Sequence, residues 1–426
     1  MQKTLKITLW DHTVGYLTWD NSDVRKETSV FKFDSSFLEK GLDISPILMS
    51  INSPARKAGI PFMGGNSKDV FKGLPPVFAD SLPDHWGNSI FRAWAKEHGI
   101  SMKRITPVDL LAFVGKRAIG ALEYHPSLVG YEDESCKVNI QELYLFAKNV
   151  LDEKTKISYS SDRELLWQDL VKLGTSPGGK RPKALIAINK ATGEIKSGQV
   201  LLPPQYGYYI LKYDNESDAF PYARMEYVYW RLCRDAGIEI SDSELKRFET
   251  ASHFITKRFD RGPKGKVHVQ SLLAMAGEVD SYEEAFDTMR KINLEYLDFE
   301  QLYKRMVFNV LAGNIDDHAR NFSFIMNKSG KWSLAPAYDM VFSIDPSVME
   351  FQKEQFLSIC GKKSGITRKD LISVGRQYDI NRPGRIIEEI QDVLSKLHDY
   401  MTEEGIGESV WKMVSAELKS KSLANP

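Results

Sequence analysis

Apolar and polar residues alternate along the opening of the chain, the period-2 pattern of strands with one buried face. "KITLWDHTVGYLTWDN" (6–21) holds two short runs rich in β-branched and aromatic residues, split by polar turn residues and closed by Asp20 and Asn21. In "SVFKFDSSFL" (29–38) Val30, Lys32 and Asp34 share one face and Phe31 and Phe33 the other, so the strand pattern continues. The texture then changes. Ser81–Ile100 predicts a helix, with Ile90 and Trp94 four apart and Gly99 as its stop. Thr106 as N-cap and Pro107 in the first turn start another. Polar stretches at 131–139 and 156–164 bracket a further helix and mark a junction.

Farther on, "KALIAIN" (183–189) and "YGYYILKYD" (206–214) read as strands joined by the turn "KATGEIKSG". Met225, Val228, Tyr229, Leu232 and Cys233 repeat at helical spacing, and Gly237 closes that helix. "SHFITKRFDR" (252–261) is a short strand, and helical patterns dominate after residue 270. The chain thus divides into a β-rich region (1–130), a middle region with strands and one helix (131–260) and a helical region (261–426). That order suits a site held between a β-rich lobe and a helical one.

Composition narrows the classes. Lys plus Arg and Asp plus Glu both number 57, so zero net charge argues against generic polyanion binding. The three cysteines, Cys136, Cys233 and Cys360, are odd in number and far apart. They form neither a disulfide framework nor a zinc site, which suits a reducing compartment. Lys3 and Lys6 interrupt the N-terminus, which does not read as a signal peptide. No apolar run approaches the ~20 residues of a membrane span. A soluble, cytoplasmic protein is expected.

Three constellations carry chemistry. "KLGTSPGGKRPK" (172–183) offers Gly174, Gly178 and Gly179 for close backbone approach and Lys180, Arg181 and Lys183 for charge, which suits phosphate. It lacks the P-loop pattern, and alone it also fits a surface loop. Lys212 ends an apolar strip of Tyr208 and Ile210, and Glu226 lies 14 residues on, within the next helix. In "LAGNIDDHARNFSFI" (311–325) Asp316 stands five residues before Asn321, and Asp339 follows after an apparent hairpin. Phosphoryl-transferring kinases use that order: an aspartate to orient the attacking hydroxyl, then an asparagine and an aspartate as hard oxygen ligands for Mg²⁺. An Asx-rich turn at a helix end accounts for Asp316 and Asn321 but leaves Asp339 without a role.

With these motifs in order, the sequence resembles the HipA family, the bacterial toxin kinases of type II toxin–antitoxin modules. The match runs through "HTVGYLTWDN", "FKGLPPVFADSLPDHWGN", "TPVDLLAFVGKRAIGALEYHP", "GTSPGGKRPKALI", "YYILKYD", "TKRFDR", "NIDDHARNFSF" and "LAPAYDM". The resemblance implies an α+β, protein-kinase-like two-lobed fold, with a β-rich N-terminal region and a mostly helical C-terminal lobe. It implies Asp316 as the catalytic aspartate, Asn321 and Asp339 as Mg²⁺ ligands, and Lys212 and His318 at the ATP nucleotide, with Tyr338 beside them. Lys257, Arg258 and Phe259 match the linker that holds the adenine through backbone groups. Pro177–Pro182, with Gly178, Gly179 and Lys180, matches the phosphate-covering loop. Autophosphorylation in that loop falls on Thr175 or Ser176.

The sequence departs from the family in two places. Asp317 replaces a small residue after the catalytic aspartate, and the five-residue step to Asn321 favours Asp316 for the catalytic role. Gln270 and Ser271 stand where some relatives carry an acidic pair.

The resemblance further implies a HipB-like antitoxin that carries the kinase to operator DNA, growth arrest, and a translation-related target such as an aminoacyl-tRNA synthetase. Two other readings compete: a small-molecule or lipid phosphotransferase, and a non-catalytic co-repressor subunit. Intact Asp316, Asn321, Asp339 and Lys212 speak against the second. The basic cluster 361–369 suits either a solvated loop or DNA phosphates beside the antitoxin.

Overall fold

Leu5, Ile7 and Leu9 face inward from β1 (Lys3–Leu9) while Thr4 and Lys6 face water, as the alternation requires. The computed structural model describes residues 3–20, 28–63, 70–128, 183–214, 220–248, 251–262, 264–349 and 352–420. It divides into two units. One holds residues 1–213, 257–270 and 326–331, and the other holds 214–256, 271–325 and 332–426.

In the first unit β2 (His12–Asp20) and β3 (Thr28–Phe33) continue an antiparallel sheet. Phe31 and Phe33 are buried, and Val30 and Lys32 are exposed. The strand pattern expected to run on to Leu38 stops at Phe33. Asp34 accepts a hydrogen bond from the Ser36 N–H and caps the single turn α1 (Ser35–Leu38). The sheet order is β4-β3-β2-β1-β5, with β4 at Ile60–Met63 and β5 at Leu122–His125. Over it come α2 (Pro76–Ala79), α3 (His85–Glu97) and α4 (Pro107–Val114). The predicted Thr106 cap is present as a reciprocal capping box with Asp109, which also pairs with Lys3 at 2.6 Å.

The same unit carries β6 (Lys183–Asn189), buried at every position, between β7 (Ile195–Ser197) and β8 (Tyr206–Lys212). The expected turn 190–198 thus contains a short strand as well. Asn189 forms the turn itself, its Oδ1 accepting from the N–H groups of Ala191 and Thr192.

A buried charge cluster ties residues 257–262 into this unit. Arg258 donates to both Asp260 oxygens and to the Gly198 carbonyl. Arg261 donates to Asp260 and to the carbonyls of Ala118 and Gly120, and the Gly120 N–H donates to Asp260. Burial alone would raise the Asp260 carboxyl, but the two guanidiniums hold it far below the usual carboxylate range.

The second unit holds α5 (Tyr222–Asp235) and the hairpin of β9 (Ser243–Phe248) and β10 (Ala251–Lys257). The helices α6 (Leu272–Ala276), α7 (Tyr282–Lys291) and α8 (Tyr296–Ala312) follow. Next come strands β11 (Ser323–Met326) and β12 (Trp332–Leu334). Four helices close the unit: α9 (Arg368–Gln377), α10 (Pro383–Leu394), α11 (Leu397–Glu403) and α12 (Glu408–Ser420). The five residues predicted for the inner stripe of α5 are all buried. Cys233 is a buried free thiol and Cys360 an exposed one. Among the described residues no helix is long and apolar enough to cross a membrane.

Two outcomes follow from the first unit. Asp260→Ala leaves two buried guanidiniums without their carboxylate and is expected to cost about 3–5 kcal/mol, read as a drop in urea midpoint. His268 is fully buried, and burial pushes its ring down to about 4 against the hydrogen bond it gives the Ile44 carbonyl. It is neutral in the fold and takes up a proton on unfolding. Its contribution is therefore complete above pH 6.5 and withdrawn as pH falls toward 4, by about 3 kcal/mol in all. The stability gap between wild type and His268→Gln should narrow over that window in urea titrations.

Candidate functional site

The loop carrying the acidic motif begins where α8 ends. Gly313 closes the helix in a left-handed conformation, φ 69°. The backbone calls for glycine, and a Cβ there would lie 2.9 Å from Leu418, 3.1 Å from Ile344 and 3.2 Å from Phe342, so a larger residue would also push these side-chain ends aside.

A chain of polar groups, most of them buried, then fixes the loop. Ser343 Oγ accepts from the N–H groups of Ile315 (2.8 Å) and Asp316 (3.1 Å) and donates to Asn314 Oδ1 (3.2 Å). Asn314 Nδ2 donates to Asn309 Oδ1 at 3.0 Å, and Asn309 Nδ2 donates to the Tyr282 hydroxyl at 2.9 Å. That hydroxyl donates to Asp317 Oδ2 at 2.7 Å. Tyr282, Asn309, Asn314 and Asp317 are all buried.

Asp316, His318 and Asn321 stand on this support. The Asp316 side chain is 66% exposed, and its carboxylate lies 3.8 Å from His318 Nε2. The His318 ring meets Phe356 edge-on at 5.5 Å, and its Nδ1 has no hydrogen-bond partner among the described residues. Asn321 closes a single 3₁₀ turn, and its Nδ2 donates to the Asp316 carbonyl at 2.6 Å, which leaves Oδ1 as an acceptor. Asp339 adopts φ 51°, a left-handed value uncommon outside glycine that concentrates at functional sites. Its neighbour Ala337 is held by the Glu239 carbonyl. Tyr338, expected at the nucleotide, donates its hydroxyl to the Arg320 carbonyl and pairs with Ser323, contacts that brace the loop.

In the first unit Lys212 is half-buried at the end of β8, in register with Lys183 on β6. Lys183 is buried beside Asp84 at 3.5 Å, and Trp86 Nε1 donates to the Lys183 carbonyl. Burial raises the Asp84 carboxyl against the pull of Lys183. Asp84 falls inside the helical stretch 81–100 read from the sequence, and its pairing with β6 carries no local signal.

The segment 257–260 alternates: Lys257 is exposed, Arg258 buried, Phe259 half-buried and Asp260 buried. Arg258, expected with the linker at the adenine, turns its side chain inward and gives its N–H to the Tyr208 carbonyl. Glu226 lies on α5 in the second unit. Thr175, Ser176, Gly178, Gly179 and Lys180 lie outside the described residues, as do the helix expected between residues 139 and 156 and its flanks.

A family model for the HipA-like C-terminal domain matches residues 175–399, and one for the HipA N-terminal domain matches residues 5–125. A Haemophilus influenzae protein named "Putative kinase" is 29% identical over 33% of this chain and 47% of its own length. The match to a Sinorhizobium fredii relative covers 45% of that protein, so the chain spans about half the length of these two. The serine/threonine-protein kinase toxin HipA of Shewanella oneidensis is 22% identical over 80% of this chain and 75% of that protein. The solved complex of Shewanella oneidensis HipA with HipB and operator DNA matches with TM-score 0.65 at 16% identity, covering 98% of this chain and 95% of that one. The fold is therefore the α+β, kinase-like fold of HipA, with a β-rich N-terminal region and a helical C-terminal part.

Gly313→Ala should cost about 2–4 kcal/mol, from left-handed strain and overpacking together, seen as a lower urea midpoint at unchanged slope.

Proposed function

The chain belongs to the HipA family, and from that premise we propose that it is an ATP-dependent serine/threonine protein kinase, the toxin of a toxin–antitoxin pair. The observation that carries this reading is Asp316, an exposed carboxylate on a loop whose backbone is fixed from below. Asp316 orients the acceptor hydroxyl and takes its proton, as a catalytic-loop aspartate does.

Asn321 and Asp339 fit a Mg²⁺ site by their donor chemistry. The Asn321 nitrogen is committed to the Asp316 carbonyl, so its hard amide oxygen is the group left to ligate, and the Asp339 carboxylate supplies the second oxygen. When bound, Mg²⁺ neutralises charge on the phosphates. Lys212 gives a cation to the nucleotide phosphates, and His318 stands beside Asp316 for a contact with the nucleotide. Lys257 and Phe259, which face outward, hold the adenine with the Arg258 carbonyl. Gly178, Gly179 and Lys180 cover the phosphates in the loop 177–182. Autophosphorylation of Thr175 or Ser176 regulates that loop.

The partner is a HipB-like antitoxin, through which the kinase reaches operator DNA; the solved Shewanella oneidensis HipA is recorded with both. The substrate class is a translation-related protein such as an aminoacyl-tRNA synthetase.

Unmodified wild-type protein incubated with Mg-ATP is expected to gain phosphate by intact mass, mapped to Thr175 or Ser176. Asp316→Asn should lose roughly 100-fold or more in rate, with thermal stabilisation by ATP retained. Unmodified wild type that neither gains phosphate nor is stabilised by ATP would sink the reading.

A further inference from the structure

Asp317 has no part in that chemistry, yet it is the most heavily engaged side chain of the loop. It is 1% exposed. Its Oδ1 accepts from the N–H groups of Phe356 (2.7 Å) and Leu357 (3.4 Å). Its Oδ2 accepts from the Tyr282 hydroxyl (2.7 Å) and Gln355 Nε2 (3.3 Å). The Phe356 N–H also reaches the Ile315 carbonyl at 3.2 Å. The carboxylate therefore joins the acidic loop to α7 and to residues 355–357.

A buried carboxylate is costly to keep, and here the groups that meet it are neutral donors. Desolvation pushes its pKa up to about 7 although Tyr282 and the Phe356 and Leu357 N–H groups pull it down. The acceptor count explains the residue type. Two carboxylate oxygens can take four donors, whereas an asparagine has one acceptor oxygen and would aim N–H groups at other donors. Its neighbour in sequence, Asp316, is the exposed carboxylate, and Phe356 presents a half-exposed ring to His318.

We propose that Asp317 is a positioning residue: its carboxylate staples residues 355–357 to the catalytic loop and so fixes where Asp316 stands toward the acceptor hydroxyl and where the His318–Phe356 pair stands beside it. This rests on the kinase reading above. Asp317 touches neither nucleotide nor acceptor and acts through the backbone it holds. Because the nucleotide's lysine and linker lie elsewhere in the chain and only His318 shares this loop, loosening the staple affects phosphotransfer more than ATP binding, which loses at most the His318 contact.

The test compares wild type, Asp317→Asn and Tyr282→Phe as full-length chains, with two readouts. In hydrogen exchange, Asp317→Asn should lose protection at Phe356 and Leu357 and in 314–318, with protection elsewhere unchanged. In phosphotransfer its kcat should fall roughly tenfold to a hundredfold while KM for ATP rises severalfold at most. Tyr282→Phe removes one donor and should fall between wild type and Asp317→Asn. It is also the variant that decides the matter if Asp317→Asn does not fold. Unchanged protection at 355–357, or a wild-type kcat in the folded variants, overturns the positioning role. Wild type without phosphotransfer is a different failure, that of the kinase reading, and the exchange data then still report whether the staple exists.

Discussion

The chain of hydrogen bonds from Ser343 through Asn314, Asn309 and Tyr282 to Asp317 is the constraint on which the acidic loop depends. Each member but the accepting Asp317 both gives and takes, so each polarises the next, and removing one leaves its neighbours unmatched. The geometry of a solvent-facing loop is in this way tied to two helices, α7 and α8, whose inner faces are buried. The density of polar residues in 314–321 then has a simple division. Asn314 and Asp317 face inward and satisfy the support, while Asp316 and His318 are left at the surface.

What the sequence made legible obeys local rules. Alternation sorted Phe31 and Phe33 from Val30 and Lys32, helical spacing found the buried stripe of α5, and a threonine before a proline located the start of α4. The five-residue step from Asp316 to Asn321 is also local, and the structure links the two by a hydrogen bond. What stayed hidden is tertiary. The turn at Ser35–Leu38 kept a strand-like pattern until Asp34 capped it, and β7 and β9 are too short or too charged to announce themselves. Asp317 reads like its neighbour, because the donors that distinguish it come from residues 282 and 355–357.

The first unit solves a similar problem with charge. Asp260 lies between two buried guanidiniums that also satisfy the carbonyls of Ala118, Gly120 and Gly198. Such a cluster adds little net stability over apolar packing, but it tolerates few alternative arrangements. Its consequence is conformational: Arg258 and Asp260 are drawn inward, so Lys257 and Phe259 are the residues turned outward. Orientation of residues 257–260 is thus set by two side chains that are themselves buried.

Asp316 and Asp317 show why residue type alone does not assign chemistry. The two carboxylates are adjacent in sequence and opposite in surroundings: one is mostly in water and the other is enclosed by four donors. Burial raises the second to about 7, a poor match for a group meant to sit ionised beside phosphates. The exposed one is the carboxylate that the kinase reading needs, open to an approaching hydroxyl. A small residue at position 317 could hold none of those donors, so Tyr282, Gln355 and Asp317 form a matched set in this chain, and the loop is only as well placed as that set is complete.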